Sequence, residues 1–187
     1  MPFISAKARE DAASSGSTKD GYLNPSSIKS GQKVRFTLLA EEPFMFYELW
    51  GNDVNDPQKR KPFRFLEDPT PEDISVKLGN NFVRSLSRDG KGNEPSRIAH
   101  AVPIYNYDLE RVQVFSWTQK TITQALDNIS QLEDYADSMT ECDFYLSRDG
   151  EGTDTRYTIQ AAPKKKAMAK TVDEEWDAAQ DEGFDLS

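Results

Sequence analysis

The chain has a single cysteine, Cys142, and a single histidine, His100, among its 187 residues. One thiol excludes an internal disulfide framework and any multi-cysteine zinc site, and one imidazole excludes a His-rich metal site. No stretch approaches the roughly 20 apolar residues of a membrane-spanning helix. Residues 1–21 lack the apolar centre of a signal peptide. A phosphate-binding glycine loop is missing too, because Gly90-Lys91-Gly92 has neither the spacing nor the following helix of a Walker motif. Acidic residues are plentiful but scattered, so no paired-carboxylate centre can be drawn. Cys142 reads as a small buried thiol within an alternating strand, and His100 as a residue near a strand start. The expectation is a soluble, cytoplasmic, non-enzymatic chain without metal or cofactor.

What the chain does have is unevenly placed charge. Its 32 acidic and 23 basic residues give a formal charge of -9. Residues 171–187 carry seven acidic side chains and no basic one, which leaves -2 for the rest. Pro163-Lys164-Lys165-Lys166 and Lys170 precede that block, and a basic run followed by an acidic one marks the end of a folded body. The reading is therefore a flexible arm at 1–27, a folded domain at 28–162, and a basic linker with a disordered acidic tail at 163–187. Within that tail, 172–179 is alternatively a short amphipathic helix that folds only when bound.

Strand patterns dominate the body. Residues 33–39 alternate polar and apolar side chains, 44–50 are aromatic-rich, and 61–66 form a short run with Pro62 on its edge. Residues 98–107 and 112–117 read as a hairpin, as do 142–148 and 155–161. Between these hairpins, Ile122, Ala125, Leu126, Ile129 and Leu132 recur at helical spacing, so 121–132 is an amphipathic helix capped by Thr118 or Thr121. Leu86–Gly92 and Leu146–Gly152 echo each other, which shared turn chemistry explains. The fold class expected is mainly β with one inserted helix. An OB-like five-stranded barrel with additional strands buries such edges economically, and a sandwich is the other arrangement.

Basic side chains interleaved with aromatics are the pattern by which single-stranded nucleic acid is held, phosphates by charge and bases by stacking. Candidate residues are Lys33 and Arg35 in the first long strand. Trp50, Lys59, Arg60, Lys61, Phe63, Arg64 and Phe65 follow, then Tyr105, Tyr107, Arg111, Trp117 and Lys120. Phe36, Phe44, Phe46 and Phe115 read as core. Trp50, Phe63, Phe65, Tyr105 and Tyr107 fit a core or a stacking face equally well.

The run 101–108 (AVPIYNYD), with 112–115 (VQVF), 118–122 (TQKTI), 143–152 (DFYLSRDGEG), 155–158 (TRYT) and 163–165 (PKK), resembles phage single-stranded DNA-binding proteins of the OB-fold type. The resemblance covers the second half of the body well and the first half loosely. It implies a protein that coats and protects single-stranded DNA in phage replication, recombination or repair, in the cytoplasm of an infected bacterial host. Some relatives bind zinc through cysteines after the second strand, but residues 53–73 hold neither Cys nor His, so no metal is carried over. The resemblance also implies a tail that recruits replication or recombination proteins. Its candidates here are Asp173, Glu174, Glu175, Trp176, Asp177, Asp181, Glu182, Phe184 and Asp185, with the two aromatics as apolar anchors. Relatives often end on an aromatic residue, whereas here Asp185-Leu186-Ser187 follow Phe184. Two other readings stay open: an RNA-binding or transcription-regulating OB-type module, and a protein-interaction module whose aromatics are all core.

Overall fold

A computed structural model of the chain describes residues 21–135 and 138–184. Nine strands lie among them: β1 (Tyr22–Leu23), β2 (Gln32–Leu38), β3 (Phe44–Asp53), β4 (Arg60–Phe65), β5 (Phe82–Arg84), β6 (Arg97–Asn106), β7 (Arg111–Trp117), β8 (Cys142–Asp149) and β9 (Arg156–Pro163). Three helices accompany them: α1 (Pro71–Leu78), α2 (Lys120–Ser130) and α3 (Ala169–Asp181). The architecture is mainly β with helices. Where the sequence reads one body from 28 to 162, the described residues form two units: one runs to Phe44 and resumes at Ala101, the other is Met45–His100.

In the first unit the strand order is β1-β7-β6-β2-β8-β9. β2 is antiparallel to both β6 and β8, β8 to β9, and β1 lies parallel to β7. Among the described residues this path has two free ends, β1 and β9, so the sheet is open and the five-stranded closed barrel is not what the pairing shows. The inserted helix falls between β7 and β8 as expected.

Alternation along β2 sends Val34, Phe36 and Leu38 to one face and Lys33, Arg35 and Thr37 to the other. The first set packs with Ile104, Phe115, Trp117, Phe144, Leu146 and Ile159, and Ile122 and Ile129 of α2 close over them. α2 starts one residue earlier than expected and stops at Ser130, leaving Leu132 exposed. Neither Thr118 nor Thr121 caps it. Gln119 holds the cap position without a side-chain bond to the helix, and Thr123 Oγ1 instead accepts from Trp117 Nε1 at 3.1 Å.

Both chain ends differ from the expectation. Residues 1–20 of the arm lie outside the described residues. From Gly21 onward, though, the chain belongs to the body: Leu23 and Ile28 are buried, and Arg148 Nη1 donates to the carbonyls of Ser26 and Ile28. The segment read as a disordered tail is helix α3, and its Val172 is 1% exposed against Tyr105 and Tyr107. Met168 and Val172, four residues apart, pack on the sheet, Trp176 one turn further on meets Phe184, and the acidic residues face solvent. Packing overrides the polar composition. Residues 185–187, Asp185 included, lie outside the described residues.

The second unit pairs β3 with β4 and β5. Leu49 and Phe63 meet across β3–β4 and pack on Ile74 and Leu78 of α1. Gly51 permits this: a Cβ there would stand 2.8 Å from both Leu78 and Phe63. α1 has two turns because Thr70 and Asp73 form a reciprocal capping box, with Pro71 at its first position. The internal echo is turn chemistry, since Gly90 and Gly150 both have positive φ (68° and 76°). At Gly150 a Cβ would lie 2.4 Å from the Asp154 carbonyl oxygen.

His100 ends this unit half-buried, and burial holds its imidazole below the ordinary histidine value. The unfolded chain then takes up the proton at a higher pH than the folded one. Stability is therefore full above the usual histidine range and falls as the pH drops through it. Thermal unfolding followed from about pH 7.5 to about pH 5.5 is expected to show that loss, and His100→Gln to flatten it. An unchanged slope in the variant would contradict the assignment.

Candidate nucleic-acid interface

The face of the first sheet turned away from α2 carries alternating cations and phenol rings. Pairing of β2 with β8 sets Arg35 opposite Tyr145 and Thr37 opposite Asp143, while β6 places Tyr105 opposite Thr37. Lys33 Nζ lies 4.8 Å from the centre of the Tyr145 ring. The Arg35 guanidinium lies 5.2 Å from Tyr145 and 5.7 Å from Tyr107, and Lys165 Nζ lies 4.7 Å from Tyr107. Tyr105 meets Tyr107 edge to face at 5.4 Å. The strip therefore runs Lys33, Tyr145, Arg35, Tyr107, Lys165, with Tyr105 beside its inner end.

Asp143 fixes the strip. It is fully buried and accepts from Arg35 Nε at 2.9 Å and Nη2 at 2.6 Å, from the Tyr107 hydroxyl at 3.0 Å and from the Lys165 backbone N–H at 3.1 Å. Arg35 also donates to the Tyr145 hydroxyl and to the Pro163 carbonyl. A buried carboxylate is tolerated only when its lone pairs are matched in this way. Burial, then the charge and hydrogen bond of Asp143, raise the Tyr107 phenol above the ordinary tyrosine value. Burial raises Tyr105 too, with smaller contributions from Glu110 and from Glu175 on α3. Both rings stay neutral donors at physiological pH. The neighbouring Cys142 thiol is pushed up to about 11, by burial first and Asp143 second, so it is not a neutral-pH nucleophile.

Tyr105 and Tyr107 are 0% and 7% exposed. Val172 and Met168 cover them, so neither ring offers a free stacking face while α3 is docked. The acidic side chains Asp173, Glu174, Glu175, Asp177 and Asp181 are exposed on α3, and Glu182 is exposed just after it. Trp176 and Phe184 meet each other edge to face at 5.4 Å. The outer end of the strip is open: Lys33 is exposed and Tyr145 half-buried.

The other sequence candidates fall in three places. Trp117 is 4% exposed and stacks on Phe115 in the core, which corrects its reading as a base platform. Arg111 opens β7, and Lys120 opens α2. The rest lie in the second unit. There Trp50 and Arg64 share the face of β3–β4 away from α1, where the Arg60 guanidinium lies 4.7 Å from the Trp50 ring. Arg64 pairs with Glu48 at 3.3 Å. Phe63 is 7% exposed and belongs to the small core, and Phe65 packs against that core, so both are corrected from stacking to structural roles. Lys61 caps the rings of Phe63 and Phe82 at 4.9 and 4.1 Å, and Lys59 is exposed ahead of β4.

Tyr145, Asp143 and Lys165 lie in the segments that carry the resemblance but are not among the expected site residues. The first two were within reach of the sequence, because period-two alternation along β8 puts them on the face opposite Phe144 and Leu146. Lys165 was not, since the position of its ring partner depends on how the chain turns after β9.

Comparison of the chain with family models, with curated proteins and with solved structures finds no match, so the functional reading rests on its own residues.

Proposed function

We propose that the chain is a single-stranded DNA-binding protein that coats and protects the strand with little sequence preference during phage DNA replication, recombination or repair. The observation that carries the reading is the cation–phenol strip Lys33–Tyr145–Arg35–Tyr107–Lys165 with an acidic helix packed on its inner end. Lysine and arginine neutralise phosphates, and phenol rings accept any base on their faces, which is why sequence preference is weak. We read the first unit as an open variant of the OB barrel.

In this reading α3 is a regulated cover. Its exposed acidic residues stand in weakly for the DNA backbone near the strip, and α3 leaves when a strand arrives at the open Lys33 end. Released, α3 presents Trp176, with Phe184 just past its end, on an acidic segment, a form suited to docking on basic replication or recombination proteins.

The test is a titration with oligo-dT and with duplex of equal length at several salt concentrations. Preference for the single strand and a log–log salt slope of about -0.7 per phosphate contacted are expected. Equal affinity for duplex, or no salt dependence, would overturn the reading. Tighter binding of the matched RNA in competition would move it to an RNA-binding module.

A further inference from the structure

In the second unit two arginines from distant parts of the chain converge on one carboxylate. Glu94 gives its Oε1 to Arg97 Nη2 at 3.0 Å and its Oε2 to Arg60 Nη2. Its carbonyl oxygen accepts from Arg84 Nε at 3.0 Å, and its backbone N–H donates to the Ser85 carbonyl at 2.7 Å. The glutamate is therefore held by its backbone, and its side chain is only 14% exposed. The two guanidinium groups are not enclosed: Arg60 is 43% exposed and Arg97 56%. Two cations against one anion leave a local surplus of positive charge. The Trp50 ring under Arg60 restricts where that guanidinium points.

We propose that Arg60 and Arg97 form a phosphate clamp for a nucleic-acid backbone, and that Glu94 occupies the clamp as an internal counter-ion in the free protein. The inference rests on the single-stranded DNA reading above and assigns it a second contact point. Each carboxylate oxygen takes one guanidinium, and a backbone phosphate, with the same single negative charge on two oxygens, can meet the same donors from the solvent side. Glu94 lowers the affinity of the clamp and keeps the arginines ordered, so exchange of the carboxylate for phosphate is fast and reversible. The indole of Trp50 lies next to the seated phosphate, within reach of the attached base.

The test compares the wild-type chain with Glu94→Gln and Arg97→Gln, using oligo-dT at several salt concentrations, with thermal unfolding to establish that each variant is folded. Glu94→Gln keeps the side-chain shape and removes the competing charge, so binding is expected to tighten about five-fold at low salt. Arg97→Gln is expected to weaken binding about five-fold and to reduce the salt slope by about 0.7. If Glu94→Gln does not fold, Arg97→Gln, exposed at the rim of the cluster, decides the matter. Wild-type binding with affinities and slopes unchanged in the folded variants would overturn the clamp and leave the DNA-binding reading standing. Absence of any binding by the wild-type chain would overturn both.

Discussion

Phe36→Ala is expected to lower the stability of the first unit by about 3–5 kcal/mol. Phe36 has no exposed surface and sits on the central strand β2, between Asn106 of β6 and Phe144 of β8. Its ring lies 5.2 Å from Phe115 and 5.8 Å from Phe144, centre to centre, with Ile122 of α2 in the same cluster. Truncation removes the burial energy of a whole ring. It also leaves a cavity that a strand hydrogen-bonded on both sides cannot collapse to fill. Urea unfolding should show a lower midpoint at unchanged slope. Leu66→Ala is the control, since Leu66 is 68% exposed and should shift stability by no more than about 0.5 kcal/mol. A loss below about 1 kcal/mol for Phe36→Ala would place the core elsewhere.

Arg35→Met is expected to cost about as much, for a different reason. Methionine preserves much of the apolar stem but leaves the fully buried Asp143 carboxylate without its cation, at a cost of about 3–5 kcal/mol. The Tyr107 hydroxyl and the Lys165 N–H would still donate to it, which is too little for a charge with no access to water. Adding Asp143→Leu should restore much of the loss, because an apolar pair does not carry the unpaired-charge penalty. Chemical unfolding of the two single variants and the double variant measures the coupling. Additive losses would mean that the pair is not a unit, and that the C-terminal segment is not anchored through it.

How far the sequence reached depended on the range of the interaction. Alternation is local, so β2, β6, β7 and the β8–β9 hairpin were legible, as was the face on which Phe36 and Ile104 lie. The helix α2 was legible for the same reason, because Ile122 to Ile129 carry its whole signal. What Tyr105 and Tyr107 face was not legible. Their alternation excludes them from the Phe36 side of the sheet, but whether solvent, DNA or protein covers them depends on α3, more than sixty residues later. The spacing of Val172 and Trp176 was visible and supported a helix at 172–179, but only as one that folds when bound, because residues 171–187 carry seven acidic side chains. A mainly acidic helix is held by one buried stripe, and composition does not record a stripe. The Arg60–Glu94–Arg97 cluster was hidden by distance, its first two members being 34 positions apart in the chain.

The most direct measurement is the fluorescence anisotropy of end-labelled oligo-dT titrated with the full-length chain and with a chain ending at Lys170, at low and moderate salt. A rise in anisotropy is expected with both. Binding by the shortened chain should be about ten-fold tighter at low salt, with the difference shrinking as salt screens the acidic helix. No response to oligo-dT in either chain, or binding no tighter once α3 is removed, would contradict the claim that the strip is a strand-binding face covered by α3.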